Sequence, residues 1–364
     1  MDQQTHNAIR APLAGASSLA RTLDDLTRAG ELCERLADAR VRCTACAHRC
    51  VLGDGARGIC QVRYNRGGQL FAPFGYVAAL NPDPIEKKPF YHVLPGSTTL
   101  TFGMLGCDLH CANCQNWEIS QTLRDADAGG APLRVSPEQI VALARRTRSQ
   151  LIGSSYNEPL ITSEWAVAIF QQAQALGIRG VYVSNGNATR EALEFIRPYV
   201  VAYKIDLKTM QDKQYRQLGT PRNRVLDTIA LAKHMGFWVE IVTLVIPGFN
   251  DSDAELMDAA QFIRSVSPEI PWHVTAFHPD YKMTAANPTL ATTLIRAAEI
   301  GQEAGLQFVY AGNLPGSVKN YENTHCPACN AVLVERYAYR IQRDQLSGRG
   351  ACPQCGAKIP GIWA

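Results

Sequence analysis

Three thiols fall within eight residues, at Cys107, Cys111 and Cys114, directly after an apolar, β-rich run (98–102) and the turn-permissive Gly103 and Gly106. Iron–sulfur clusters are held by cysteine thiolates, and a cubane of four irons normally takes four of them. Three local thiolates would leave one iron open to a substrate or cofactor, the logic that also separates catalytic zinc sites from closed structural ones. Two other readings use the same residues. Zinc could take the three thiols with His110 as its fourth ligand. Positions i, i+4 and i+7 also share a helix face, where three cysteines would serve as small hydrophobes. The flanking glycines and polar residues speak against the helix.

Eight more cysteines form two groups. Cys43, Cys46, Cys50 and Cys60 can close one tetrahedral site, a structural knuckle with zinc as its first occupant and an auxiliary iron–sulfur cluster as the rival, since the metal of a four-cysteine site is not written in its spacing. Cys326-x-x-Cys329 and Cys352-x-x-Cys355 flank a strand-like stretch (332–341) in the manner of a two-knuckle zinc ribbon, and are expected to bind one structural zinc. Cys33 is left over and reads as a packing residue.

The twelve cysteines therefore read as metal ligands in a reducing compartment rather than as a disulfide framework. The first thirty residues have no continuous apolar stretch and so no secretory signal, and no run is long and apolar enough to span a bilayer. A cytoplasmic protein is expected, with no membrane contact. A formal charge of +3 makes no case for a nucleic-acid partner. At 364 residues and 46% hydrophobic content, the chain can bury one large core with additions, or two.

What must position the central thiols is an alternation of strand-like and helix-period runs. Strands are expected at 98–102, 151–156, 180–184, 201–207, 238–246, 272–277 and 306–310. Helices are expected at 137–148, 163–176, 190–196, 224–235, 254–265 and 289–304. Repeated βα units imply a parallel sheet with right-handed crossovers, and six or seven units are too few for a closed eight-stranded barrel. An α/β fold with a partial, (β/α)6-like barrel follows, with functional groups at the carboxyl ends of its strands. Ahead of it, residues 1–17 are small or polar and read as poorly ordered, and leucine spacing over 18–40 predicts a helix. Residues 69–77 read as a strand, and the proline-punctuated stretch 81–95 as no single element. The chain divides into an arm (1–40), a cysteine-rich segment (41–96), the barrel (97–318) and a zinc-ribbon-like lobe (319–364).

The spacing Cys107-x-x-x-Cys111-x-x-Cys114, followed by Gln115-Asn116-Trp117-Glu118-Ile119-Ser120 and preceded by Asp83-Pro84-Ile85-Glu86-Lys87-Lys88-Pro89, resembles the radical S-adenosylmethionine (SAM) superfamily. Within it the match is to the AmmeMemoRadiSam-type branch, relatives of the glycyl-radical (pyruvate formate-lyase) activating enzymes. The resemblance covers roughly residues 43–363. It implies a 4Fe–4S cluster on Cys107, Cys111 and Cys114 whose free iron chelates SAM, reductive cleavage to a 5′-deoxyadenosyl radical, and hydrogen abstraction from a substrate. It also implies an external electron donor of flavodoxin or ferredoxin type. The substrate would be a protein glycine, a Memo- or Amme-family partner, or a small metabolite.

The resemblance also assigns cofactor contacts. Glu158, in Ser155-Tyr156-Asn157-Glu158-Pro159, stands where the superfamily has a Gly-Gly-Glu-Pro turn that meets the SAM amino group, although the glycines are missing here. Asp206 and Lys208 match an Asp-x-Lys that reaches the SAM carboxylate and ribose. Ser184 and Asn185 end the third strand beside the cofactor, and His278 matches a histidine near it. Two positions depart from the pattern: Val183 replaces an aspartate tied to a bound cation, and Asn113 replaces an aromatic residue that touches adenine. The segment carrying Glu86, Lys87, Lys88, Tyr91 and His92 is expected at the active-site rim. The rival class is a non-catalytic metal scaffold, nucleic-acid-binding through the terminal ribbon; Glu158, Asp206 and Lys208 argue against it, because a scaffold needs no SAM pocket.

Overall fold

Strict alternation of side chains along the strands sorts the two faces of the main sheet. In a computed structural model, which describes residues 16–346, 348 and 350–364, eight strands form one sheet. Thr98–Gly103, Leu151–Ser154, Arg179–Ser184, Val200–Asp206, Trp238–Val245, Trp272–Ala276 and Val309–Gly312 run parallel in that spatial order. Ala79–Pro84 pairs antiparallel at the Thr98–Gly103 edge, where its two prolines are tolerated because an edge strand has backbone groups outside the ladder. Helices Pro137–Arg146, Ser163–Gln174, Arg190–Ile196, Arg222–His234, Asp253–Val266 and Ala291–Glu303 supply the crossovers. Expected strand boundaries hold to within about three residues, which is ordinary for pattern reading.

Ile152, Tyr182 and Tyr203 belong to the large core that includes Trp165 and Phe170 of the Ser163–Gln174 helix. Their alternating neighbours Leu151, Val181 and Ala202 pack instead against Ile85, Phe90 and Val93. Residues of one strand two apart share a face, so the segment following the edge strand fills the amino end of the barrel from within. It does so as a 3-10 turn, Ile85–Lys87, and irregular backbone. The carboxyl end is thereby left as the open end.

Among the described residues the amino-terminal helix is Ala16–Asp24, and the chain then forms the short strands Thr27–Ala29 and Cys33–Arg35, so the helix expected through residue 40 is corrected. Leu23, Leu26 and Leu32 are all buried, but the last belongs to a new direction of chain. Gly30 lies between the two short strands, where a side chain would meet Leu70 at 3.1 Å and Arg63 at 3.2 Å. Cys33 packs at the core margin as expected. The expectation for residues 1–15 lies outside the described residues. The strand expected at 69–77 is split into Gln69–Pro73 and Tyr76–Val77.

This segment is fastened to the barrel by one buried ion pair. Arg63 donates to both oxygens of Glu164 at 2.7 and 2.8 Å, and to the Ile161 carbonyl at 3.1 Å. The backbone amides of Glu31 and Leu32 donate to Glu164 Oε1. Both side chains are essentially inaccessible.

In the tail, the single strand expected at 332–341 is a hairpin, Val332–Tyr337 with Arg340–Asp344, because the chain turns at Ala338, which adopts φ +54°. Leu333, Val334, Leu346 and Ile359 are its buried aliphatic side chains. They are few for a lobe whose residues each cost about 1–2 kcal/mol of backbone entropy to order. Metal binding compensates such lobes. The sulfurs of Cys326, Cys329, Cys352 and Cys355 all lie within 4.8 Å of one another, with 3.6 Å across two pairs. Zinc–sulfur bonds of about 2.3 Å place tetrahedral sulfurs about 3.8 Å apart, so the four donors fit one such ion.

The tail closes the side of the barrel that the sheet leaves open. Val93 pairs with Ile362, His92 Nδ1 lies 2.7 Å from the Pro360 carbonyl, and Arg336 donates to the Tyr91 carbonyl at 2.9 Å. Among the described residues, no helix is long and apolar enough to cross a membrane.

Glu164→Ala leaves the Arg63 cation buried without its partner, a change that typically costs 3–5 kcal/mol, so denaturant unfolding should show a loss of about that size. A loss below about 1 kcal/mol would remove the pair as the latch of the amino-terminal segment. For the tail, metal analysis of the full chain should find one zinc that Cys352→Ala eliminates, with proteolysis then starting in residues 319–364. Unchanged zinc in that variant would rule out the ribbon.

Candidate active site

Gly103 ends the first parallel strand because nothing larger fits: a side chain there would lie 2.8 Å from both the Ser155 carbonyl and Tyr156 Cβ, at the end of the neighbouring strand. Gly106, at φ +92°, turns the chain into the thiol loop and abuts Val62 and the Cys60 carbonyl. The loop is then held by hydrogen bonds from outside it. His110 N donates to the Leu218 carbonyl at 3.0 Å. Arg124 donates to the Cys107 carbonyl and, at 2.7 Å, to the Leu109 carbonyl. The Leu109 amide donates to Cys107 Sγ at 3.4 Å, and Cys114 Sγ and Ser120 Oγ are 3.1 Å apart. Burial pushes the Cys111 thiol up to about 11, with Lys208 acting in the opposite direction.

Asp108, between the first two sites of the loop, is completely buried. Its two oxygens accept from the side-chain amides of Asn185 and Asn187 at 2.7 and 2.8 Å, and His48 Nε2 sits 3.1 Å from its carbonyl. The end of the third strand is thus pinned to the thiol loop. Glu158 performs the same service from the second strand. Its Oε1 accepts from Ser184 Oγ at 2.7 Å and Leu160 N at 3.1 Å, and its Oε2 from Asn185 N at 2.7 Å. Burial, and then the Asp108 carboxylate, pushes the Glu158 carboxyl up to about 8. Of about four acceptor positions on a carboxylate, three are used.

The fourth strand delivers a row of charge. Lys204 and Asp206 on the strand and Lys208 just beyond it alternate along the chain, and Asp206 pairs with Lys204 and, at 3.1 Å, with Lys208. Against the cost of burial, the two cations hold the Asp206 carboxyl down at about 2. Two cations against one carboxylate leave the row with one surplus positive charge. Asn250 supports it from the next turn, donating to the Lys208 carbonyl at 2.7 Å.

The three thiols, Glu158 and the charged row border one cavity of about 1220 Å³, while Asp108, Asn187, Arg124 and Asn250 brace its lining from behind. Cys107, Cys111, Asn113 and Cys114 form one wall; Glu158, Ser184, Asn185, Asp206, Lys208 and His278 stand around it. Among the described residues, three thiols line the space with no fourth, a donor set that fits a four-iron cluster with one open corner. Ser184 and Asn185 turn their side chains to Glu158 and Asp108. His278 is exposed and lies 2.5 Å from Gln115 Nε2, at the mouth.

Of the expected rim, Glu86, Lys87, Lys88 and Tyr91 border the cavity. His92 does not: it is buried between Tyr310 Oη, 2.7 Å from its Nε2, and the tail. Lys88 also brings in two neighbours that pattern reading did not assign to the site, Asp83 and Tyr156. Lys88 pairs with Asp83 at 2.9 Å and lies over the Tyr156 ring, whose hydroxyl donates to the same carboxylate. Glu322, Ala338 and Tyr339 of the tail complete the far wall. The strand-end rule could have flagged Tyr156; nothing local marks Asp108, Asn187 or Tyr339.

The radical SAM superfamily is matched over residues 102–260. An uncharacterised protein of Methanocaldococcus jannaschii is 38% identical over 332 residues, which cover 90% of this chain and 97% of that one. The isethionate sulfite-lyase activating enzyme of Desulfovibrio desulfuricans is 29% identical over 47% of this chain, and the match spans about half (55%) of that enzyme's length. A pyruvate formate-lyase-activating enzyme of Staphylococcus aureus is 22% identical over 50% of this chain and 76% of its own. The thiol loop at the end of the first parallel strand, the open cavity it borders and these relatives agree: the chain belongs to the radical SAM superfamily and is an enzyme of that type.

Proposed function

We propose that the chain cleaves SAM reductively at a 4Fe–4S cluster on Cys107, Cys111 and Cys114 and uses the cleavage to take a hydrogen atom from a substrate, as an activase-like enzyme whose substrate is a protein. The observation that carries the reading is the set of three thiols on the wall of a cavity that also holds the Lys204, Asp206 and Lys208 row. When bound, the cluster and SAM together supply one-electron cleavage of a carbon–sulfur bond and a 5′-deoxyadenosyl radical. Everything else is binding, orientation and exclusion of water by the protein.

The surplus positive charge of the row suits the SAM carboxylate, with Lys208 as donor and Asp206 either orienting it or accepting from a ribose hydroxyl. Glu158 keeps one acceptor position, on Oε2, for the amino group, while its other contacts set the Ser184–Asn185 turn. Asn113 would hydrogen-bond adenine where an aromatic residue would stack. His278 closes the mouth with Gln115. Small-molecule pockets usually hold about 300–1,000 Å³; the larger space here suits SAM together with part of a substrate. The names of the activating-enzyme relatives favour a protein as that substrate, and an electron donor of flavodoxin or ferredoxin type would supply the reducing equivalent.

Anaerobically reconstituted protein given a strong reductant should convert SAM to 5′-deoxyadenosine and methionine, and Cys111→Ala should abolish the conversion. Tight SAM binding by cluster-loaded protein with no 5′-deoxyadenosine formed would favour a scaffold instead. Loss of a charge-assisted contact costs about 1.5–3 kcal/mol, so Lys208→Ala should weaken SAM binding roughly ten- to a hundredfold with iron content unchanged. Unaltered affinity in that variant would reduce the row to a structural ion pair.

A further inference from the structure

Among the described residues, the tail thiols are the group of ligand atoms close enough together to share a metal ion; of the four amino-terminal thiols, the Cys50 and Cys60 sulfurs flank one point beside Gly58. Unassigned chemistry lies instead inside the barrel, around Tyr156. Its φ is +69°, in the left-handed region where a side chain with a Cβ is strained, and such strain persists where the surroundings hold it for a purpose. Gly103 supplies the room that Tyr156 Cβ needs. The ring then holds a group of charges that SAM binding leaves unused. Tyr156 Oη donates to Asp83 Oδ2 at 2.9 Å and accepts from Asn81 Nδ2 at 3.3 Å. Lys88 Nζ lies 4.2 Å from the centre of the ring and 2.9 Å from Asp83 Oδ2, and Lys87 Nζ lies 2.9 Å from Asp83 Oδ1.

Two ammonium groups thus share one carboxylate, and among the described residues neither pairs with another. The group carries one surplus positive charge. Lys88 borders the cavity with its side chain only 6% exposed, where a cation is costly unless an anion meets it. Burial first, and then the Lys87 and Lys204 charges, draw the Lys88 ammonium below its ordinary range against the pull of Asp83. Glu86 borders the same cavity but does not offset the surplus, because Arg336 faces it at 4.0 Å. Its Oε1 accepts from Gly96 N at 2.8 Å, whereas its Oε2 is buried with no partner. Buried polar atoms are ordinarily satisfied, so this one awaits a donor from a ligand. Depth separates these charges from the SAM contacts. Asp83 is in register with Thr99, four residues before Gly103, whereas Asp206 ends its strand and Lys208 lies beyond it.

We propose that Lys87 and Lys88 bind a carboxylate of the substrate, which reaches deeper into the barrel than SAM does. The lysines already bridge the two oxygens of one carboxylate, and their surplus charge is what a second would neutralise. A donor near that carboxylate would satisfy Glu86 Oε2. Separate anchors keep the acid groups of SAM and substrate from competing for Lys208. Calling the ligand a substrate rests on the function proposed above, but the anion site itself is tested without it.

Pyridoxal 5′-phosphate joins an anion to a lysine-reactive aldehyde and probes the full chain with neither cluster nor SAM present. After borohydride reduction and peptide mapping, the label should fall on Lys87 and Lys88 ahead of the exposed Lys319, and a carboxylate should protect them. Two protectants separate the sources. Better protection by an end-blocked, glycine-rich pentapeptide with a central glutamate would assign the site to an acidic side chain of a protein substrate; better protection by succinate would assign it to a small acid. Lys87→Ala removes the surplus charge at a half-exposed position and keeps the Asp83–Lys88 pair, so the concentration of the better protectant that half-protects Lys88 should rise about tenfold. Asp83→Asn should lower it, a direction that loss of a purely structural bridge would not give. Labelling no faster than at Lys319, protection by neither compound, or protection unaltered in Lys87→Ala would each overturn the site. Intact protection in a chain that fails to cleave SAM would instead leave the site standing and remove the function proposed above.

Discussion

The geometry of the site depends on one fully buried carboxylate. Asp108 sits beside Cys107, and its two oxygens take the Asn185 and Asn187 amides from the end of the third strand. A charge in such a place is tolerated only when its acceptor positions are filled. Filling them forces the thiol loop and the strand end into one arrangement. Glu158 repeats the device from the second strand and binds Asn185 from its other side. Three separate chain segments therefore reach the cavity as a single rigid rim, which is the pre-organisation that radical chemistry needs from its protein.

The second constraint is that the sheet does not close. A parallel sheet of this length leaves two edges, and unpaired edges are a hazard that proteins cover. Here the amino-terminal edge carries the proline-bearing strand Ala79–Pro84, and the segment after it runs inside the barrel. The tail then locks over that segment through Val93, His92 and Tyr91. Elements outside the βα repeat thus supply the walls the repeat itself lacks.

The repeat was legible because period-2 and period-3.6 patterns depend on neighbours in sequence. The thiol groups were legible because ligand spacing is local. The leucines at 19, 23 and 26 suggested a helix continuing through 32 and 36, but the helix ends at Asp24, and Thr27–Ala29 pairs as a strand with residues 71–73, ahead of Gly30 and its close neighbours Leu70, Arg63 and Glu164. Those contacts are far away in sequence and leave no periodic trace. Asp108, Asn187 and Tyr339 went unmarked for the same reason: a buried polar residue gains its meaning from partners that only the fold brings near. His92 was misplaced because a charged, proline-rich stretch has no period to say which side chains turn inward.

One consequence follows from the seam between the plug segment and the tail. Tyr339 and Ala338 wall the cavity from a lobe in which four thiols lie close enough together to share one metal ion. A metal held by those thiols would therefore do more than order a terminus: its loss would open the flank of the cavity and expose the thiol loop to dioxygen. Metal starvation and oxidative damage, ordinarily separate stresses, would then meet at a single joint.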